Sequence, residues 1–261
     1  MALRLTLQGF AQRIESQMVD ADGLPVRAVV DKVYAQVVRT MFESLQQMAK
    51  MESEAGAAAT DDNKDQLNAH VVLVENMHHF ATSVRDLRIP ALSVFVKQAS
   101  ELYDENMTLY VRLVLRRPLA RHYVRLRPLW AALTAQDFFL GMEQLLRTTP
   151  PNEVGLHSAY TKSAVRRVTS SLNAKELRKA VEPLAKRVEK HFAAAGEGMS
   201  TKDAAEVQSN VWRACADEAT RCATAWKALL ERCYPDTPGV ALEFTAADVA
   251  DAFKRFKPMS A

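Results

Sequence analysis

The sequence predicts an all-α protein, an elongated helical bundle or rod of stacked antiparallel helices. Apolar residues recur at spacings of three and four along most of the 261 residues, whereas strand-length alternation is rare. Glycine occurs only 8 times, and most segments between the helical patterns are short. Short connections favour antiparallel neighbours, and no repeat of fixed period indicates a solenoid.

Two helices are predicted in the N-terminal region. The apolar pattern covers residues 3–19 and then residues 26–51, about seven turns of a second helix. The second pattern forms one continuous helical stripe that consists of Val29, Val30, Val33, Val37, Met41, Leu45 and Met48.

Domain boundaries are predicted from changes in composition. Residues 1–51 are expected to be N-terminal helices that continue a longer rod. Residues 52–64 are acidic and rich in small side chains, which predicts a flexible solvated loop. Residues 65–256 are expected to form a C-terminal helical-bundle domain, followed by a tail over residues 257–261.

Helices in the C-terminal region are delimited by prolines and by capping residues. The expected ranges are 65–87, 91–115, 137–147, 160–170, 173–192, 200–233 and 245–256. Asn173, Ser200 and Thr245 are predicted N-caps, each followed three residues later by Glu or Asp. Pro183 lies inside one of these ranges, and because the apolar stripe continues on both sides we expect a kinked but continuous helix.

Several function classes are disfavoured by missing motifs. Neither the dinucleotide-binding glycine pattern nor the P-loop pattern occurs, and no apolar run reaches the ~18 residues of a membrane span. The 3 cysteines (Cys215, Cys222 and Cys233) form neither a disulfide framework nor a zinc ribbon. A reducing, cytosolic compartment is therefore expected, and the N-terminus does not resemble a secretory leader.

No catalytic, metal or cofactor-binding residues are predicted. His78 and His79 lie beside Glu75, but adjacent histidines point about 100° apart on a helix and do not share a metal simply. Buried or solvent-edge histidines are the preferred interpretation. The cysteines are interpreted as small buried side chains. A hydrolytic site assembled from distant residues is the alternative, with no nucleophile motif to support it.

A basic centre is the main electrostatic feature. Residues 66–196 contain 19 basic and 11 acidic residues, whereas both ends of the chain are net acidic. The candidate site is one helix face for an anionic lipid or an acidic partner. Its residues are Lys175, Arg178, Lys179, Lys186, Arg187 and Lys190. A solubilising face threaded with ion pairs is the alternative.

Several runs of sequence carry a resemblance to a known family. They include QLNAHVVLVENMHHF at residues 66–80 and YVRLVLRRP at residues 110–118. Shorter runs lie at residues 40–51, 103–106, 145–150, 186–192 and 233–236. In this order, over residues 10–256, the chain resembles the C-terminal domain of the Sec-three subunit of the exocyst, in its fungal form.

The resemblance implies a non-catalytic helical rod of the kind found in multisubunit tethering complexes. It implies that the chain helps to tether secretory vesicles to the plasma membrane before fusion, with the other exocyst subunits as partners. A cytoplasmic location, peripheral at plasma-membrane sites of secretion, follows from it. A phosphoinositide surface is the second expected partner, and nucleic acid is not expected. Binding of a small GTPase is not expected, because the family assigns it to an N-terminal domain that this sequence lacks.

One segment departs from the family pattern. Residues 124–136 intervene where family members pass almost directly from the Arg-Pro turn to the next helix. Translated intron sequence is one hypothesis for this insertion, and a lineage-specific loop is the other.

Overall fold

Every regular element that the structure, a computed structural model, describes is helical. The described residues are 2–18, 24–58, 62–116, 138–151, 154–195 and 200–257. The α-helices are α1 (Ala2–Gln17), α2 (Pro25–Ala58), α3 (Asp62–Leu87), α4 (Ser93–Arg116), α5 (residues 138–146), α6 (Val154–Ala159), α7 (Lys162–Ser170), α8 (Ala174–Ala195), α9 (Thr201–Cys233) and α10 (Ala246–Arg255). A 3-10 turn, Pro90–Leu92, precedes α4. The predicted all-α fold is confirmed.

The chain divides into two compact units. The first contains the residues up to Tyr110 together with Lys190–Ser209, and the second contains Val111–Glu189 and Asn210–Met259. The boundary falls within α4, α8 and α9. Neither unit coincides with the domain predicted over residues 65–256.

The predicted helix caps are present. The Glu176 backbone N–H donates to Asn173 Oδ1 at 3.0 Å before α8, and the Asp203 N–H donates to Ser200 Oγ at 3.1 Å before α9. Thr245 and Asp248 form a complete reciprocal capping box at α10. Helix α8 continues through Pro183, so the continuous helix is confirmed, while its kink stays a prediction.

One sequence expectation about connections is wrong, and one short helix was not predicted. The loop predicted over residues 52–64 is mostly helical, because α2 extends to Ala58 and α3 begins at Asp62. Alanine and glutamate are strong helix formers, and the acidic, alanine-rich composition was mistaken for a solvated loop. Helix α6 was not predicted, since six residues give too short a pattern. Residues 124–136, with their two hypotheses, lie outside the described residues.

The core of the first unit is built around an aromatic cluster. The Phe42 ring packs edge-on against Phe80, with ring centroids 4.9 Å apart, and against Phe95 at 6.3 Å. Phe42 and Val38 are buried on the same face of α2, which packs mainly against α3. Tyr34 is also buried, and its hydroxyl donates to the Ala11 carbonyl at 3.4 Å.

The predicted apolar stripe of α2 is only partly buried: three of its seven residues contact the core and four are exposed. Val30, Met41 and Leu45 pack against the core, but Val29, Val33, Val37 and Met48 are exposed. The buried residues of α2 instead are Tyr34, Val38, Phe42 and Ala49. Helix α2 has two neighbouring apolar faces, and spacing alone did not distinguish the one that packs.

Aromatic contacts also organise the second unit. Trp212 of α9 packs against Phe253 of α10, with centroids 4.7 Å apart, and its indole N–H donates to the Phe253 carbonyl at 3.0 Å. The Tyr234 hydroxyl donates to the Tyr160 carbonyl. Val181 and Val188 of α8 are buried, as the sequence predicted, so the opposite side of α8 is free to carry charge.

Candidate functional site

The predicted basic residues lie on the outer side of α8. Lys175, Arg178, Lys179, Lys186 and Lys190 are exposed, and Arg187 is half-buried at the edge of this face. At 100° per residue, the four lysines fall within roughly 60° of helix circumference. Lys190 belongs to the first unit, so the basic face of the second unit comprises Lys175, Arg178, Lys179, Lys186 and Arg187.

Glutamates on α8 neutralise part of this charge. Lys179 Nζ lies 2.7 Å from Glu176 Oε1, and Lys186 Nζ lies 2.9 Å from Glu182 Oε1. These are the i,i+3 and i,i+4 ion pairs of an exposed helix. Lys175 has no ion pair among the described residues. The face therefore has a net positive charge, but its ion pairs are also those expected of a helix face that only keeps the protein soluble.

The basic side chains of α7 are exposed, but one of them is bonded to another part of the second unit. Lys162, Arg166 and Arg167 are exposed, but Arg166 Nε donates to the Pro238 carbonyl at 3.0 Å, in the turn after α9. Arg178 contributes to a lowered pKa of the Asp248 carboxyl, which hydrogen bonds from Thr245 lower most. The positive charge of Arg178 is thus close enough to act on the capping box of α10.

A second candidate surface is the uncovered apolar face of α2, hereafter the outward stripe. Its members are the exposed Val26, Val29, Val33, Val37, Met48 and Met51. Val29 alone is 59% exposed. An interval of eleven residues separates Val26 from Val37 and Val37 from Met48. Eleven residues make three turns at 3.67 residues per turn, so side chains at this interval stay nearly in line along the helix. The buried face has the same interval, since the buried Val38 and Ala49 are also eleven residues apart, so spacing does not separate the two faces.

Exposed apolar side chains in such a row indicate a contact surface. Soluble monomers rarely leave large continuous apolar patches open, and such patches commonly mark sites of protein association. The outward stripe lies roughly a third of a turn away from the buried face of α2. A partner helix can therefore lie along it without displacing the core of the first unit.

The side chains that could take part in catalysis or bind a metal lie in environments that favour a structural role. Burial raises the pKa of the Cys215 thiol to about 12 and also raises the pKa values of Cys222 and Cys233. Raised pKa values disfavour the nucleophilic thiolate at neutral pH. Glu75 is buried, and the neighbouring histidines are half-buried. Within the described ranges, no three His, Cys, Asp or Glu side chains form a group suited to a metal ion.

None of the described helices is both long and apolar enough to cross a bilayer.

The chain is similar to subunits of one complex from animals and plants. It is 27% identical to exocyst complex component 1 of Mus musculus over 86% of the chain and 21% of that protein. It is 24% identical to exocyst complex component 1 of Drosophila melanogaster, over 94% of the chain and 24% of that protein. It is also 24% identical to exocyst complex component SEC3A of Arabidopsis thaliana, over 82% and 20%. The chain thus spans less than a quarter of these relatives' lengths.

Family membership follows from a match over most of the sequence. No solved structure matches the chain. The family described as exocyst complex component Sec3, C-terminal, matches residues 5–236, which include every predicted basic residue of α8 and the whole outward stripe. The chain therefore belongs to the family of C-terminal domains of the exocyst component Sec3.

Proposed function

We propose that this chain is a non-catalytic scaffold segment of an exocyst subunit, which helps to tether secretory vesicles to the plasma membrane before fusion. The observation that carries the proposal is the match to the Sec3 C-terminal family over residues 5–236. A scaffold needs surfaces for other proteins rather than a reactive site. The partners are then the other exocyst subunits, and the location is cytoplasmic, at plasma-membrane sites of secretion.

The outward stripe supports this proposal from the structural side. It presents valines and methionines to solvent along several turns of α2, although the same helix already supplies a well-packed core face through Phe42. Burying such surface contributes roughly 25 cal/mol per Å². We infer that the outward stripe is where a helix of another exocyst subunit packs.

Affinity purification tests the scaffold proposal. The chain is expressed with a tag in cells of its own organism, and recovered proteins are quantified by mass spectrometry against the tag alone. The proposal expects enrichment of the other exocyst subunits. Recovery of the correctly folded chain without any of them contradicts it.

Peripheral binding to phosphoinositides through the basic face is the second candidate function. It is favoured by the exposure of Lys175, Lys179 and Lys186 opposite the buried side of α8. An anionic leaflet attracts each such lysine by about 1 kcal/mol. The ion pairs of Lys179 and Lys186 reduce this attraction, so the lipid would compete with Glu176 and Glu182.

Liposome co-sedimentation separates lipid binding from solubilisation. The variant Lys175→Glu, Lys179→Glu, Lys186→Glu is compared with wild type on phosphoinositide-containing vesicles at low and high salt. A matched control, Lys227→Glu, Lys254→Glu, Lys257→Glu, has the same net charge, and its substitutions are also exposed and in the second unit. The lipid function predicts salt-sensitive binding that only the α8 variant loses. Equal loss in both variants, or no binding by wild type, contradicts it.

A further inference from the structure

A groove in the second unit leaves apolar surface open between α5 and the C-terminal half of α9. Its volume is about 400 Å³, within the roughly 300–1,000 Å³ typical of ligand clefts. Phe139 and Trp226 form its floor, stacked with ring centroids 4.9 Å apart at an angle of 20°. Leu140, Leu146 and Leu229 complete the apolar lining, and Leu140 is 39% exposed.

The charged side chains that line the groove are mainly arginines. Arg147, Arg221 and Arg232 contribute to the lining, against one acidic residue, Glu143. Two hydrogen bonds of 2.6 Å to Glu218 hold Arg221 in place, and they lower the pKa of the Glu218 carboxyl. Arg147 and Arg232 are exposed and have no ion pair among the described residues. Two guanidinium groups are therefore available to an acidic ligand.

We propose that this groove binds an amphipathic helical segment of a partner protein with acidic flanks. Apolar side chains at helical spacing pack on Leu140, Trp226 and Leu229, with the buried Phe139 ring supporting Trp226, as in other helix-in-groove complexes. Carboxylates beside them pair with Arg147 and Arg232, since the planar guanidinium fork matches a carboxylate in two parallel hydrogen bonds. Charge complementarity thus selects the partner, and the apolar floor anchors it.

Two other occupants fit the groove less well. A bilayer presents a broad surface that does not reach a recessed floor, and Phe139 is only 1% exposed. The chain's own residues 117–137 carry four arginines and a single aspartate. Their positive charge is mismatched to a groove that is itself lined by arginines. An acidic segment from another protein satisfies both the charge and the shape.

Peptide selection on the purified full chain tests the proposal without assuming a partner. A phage-displayed library of random 16-residue peptides is selected on wild type, and the most enriched peptide is titrated by fluorescence anisotropy. We expect the most enriched peptide to have a net negative charge and to carry apolar residues at positions i, i+3 or i+4, and i+7. Its affinity should fall as ionic strength rises, because the arginine contacts are exposed to screening.

Two groove variants and one matched control locate the binding. Leu140→Glu is expected to weaken the selected peptide at least tenfold, and so is the double variant Arg147→Glu, Arg232→Glu. Leu109→Glu is the control, because Leu109 is 38% exposed, as Leu140 is 39%, yet lies in α4 of the first unit. Circular dichroism melts check that all variants remain folded. If Leu140→Glu unfolds the chain, the double variant Arg147→Glu, Arg232→Glu still tests the proposal, because both arginines are exposed.

The outcomes are separable from those of the exocyst proposal. Enriched peptides that are basic, that bind the groove variants as well as wild type, or that respond equally to Leu109→Glu overturn the proposal. The absence of any enriched peptide also overturns it. Displacement of the selected peptide by phosphatidylserine vesicles would assign the groove to lipid instead. None of these results depends on whether the chain co-purifies with exocyst subunits.

Discussion

Helices α2 and α8 are both long and amphipathic, yet the sequence assigns the buried face correctly only in α8. On α8, lysines and glutamates occupy one side, and Val181 and Val188 are buried on another. On α2, apolar residues occupy both the buried face, with Phe42, and the outward stripe, with Val33. Charge marks the solvent side of a helix more reliably than apolar residues mark the core.

The same contrast suggests different roles for the two helices. A charged face such as that of α8 remains soluble without any partner, so its exposure requires no further explanation. An apolar face such as the outward stripe of α2 loses free energy by facing water. The α2 surface is therefore the stronger candidate for a protein contact.

Truncating each face of α2 should have very different effects on stability. Phe42→Ala removes a buried ring that contacts Phe80 and Phe95, and we expect it to lower the free energy of unfolding by about 3–5 kcal/mol. Val33→Ala on the outward stripe should change it by less than about 0.5 kcal/mol. Urea denaturation of the two variants measures both values.

This comparison fails if Val33→Ala is strongly destabilising. Such a result would mean that the outward stripe is already covered within the isolated chain. Gln46→Ala provides a further control, because Gln46 is exposed on the same helix and lies on neither the buried face nor the outward stripe.

Removing the internal proline of α8 should stabilise the chain. Proline inside a helix removes a backbone hydrogen bond and clashes with the preceding turn, and it costs ~3 kcal/mol relative to alanine. Pro183 is half-buried and lies between Val181 and Val188 in an unbroken helix. Pro183→Ala is therefore expected to raise the free energy of unfolding by about 1–3 kcal/mol. Unchanged or lower stability in thermal melts would mean that packing requires the proline.

The N-cap of α8 should contribute a smaller amount. Asn173 Oδ1 accepts the Glu176 backbone N–H at 3.0 Å, so Asn173→Ala leaves that donor without its side-chain partner. We expect a loss of about 1 kcal/mol in the free energy of unfolding. Asn173→Asp keeps an acceptor and should lie close to wild type. An Asn173→Asp variant as unstable as Asn173→Ala would contradict a capping role.

Patterns of residues that are close in sequence predicted much of the fold but little of the candidate surfaces. The caps of α8, α9 and α10 were predictable because a side-chain acceptor and its N–H donor lie three residues apart in sequence. The helical course of residues 52–58 was missed because acidic and alanine-rich sequence suits both a helix and a solvated loop. The groove was not predictable, since Phe139 and Trp226 are distant in sequence and only tertiary packing joins them.

The outward stripe of α2 is the surface that we propose joins this chain to the exocyst. The direct measurement compares recovery of exocyst subunits by wild type and by the triple variant Val29→Ser, Val33→Ser, Val37→Ser. The matched control is Lys32→Ser, Glu43→Ser, Gln46→Ser, whose residues are exposed on α2 away from the outward stripe and whose net charge equals that of wild type. Thermal melts establish that both triple variants are folded. We predict that the valine variant loses the subunits while the control variant retains them at the wild-type level. Full recovery by a folded valine variant would contradict the account.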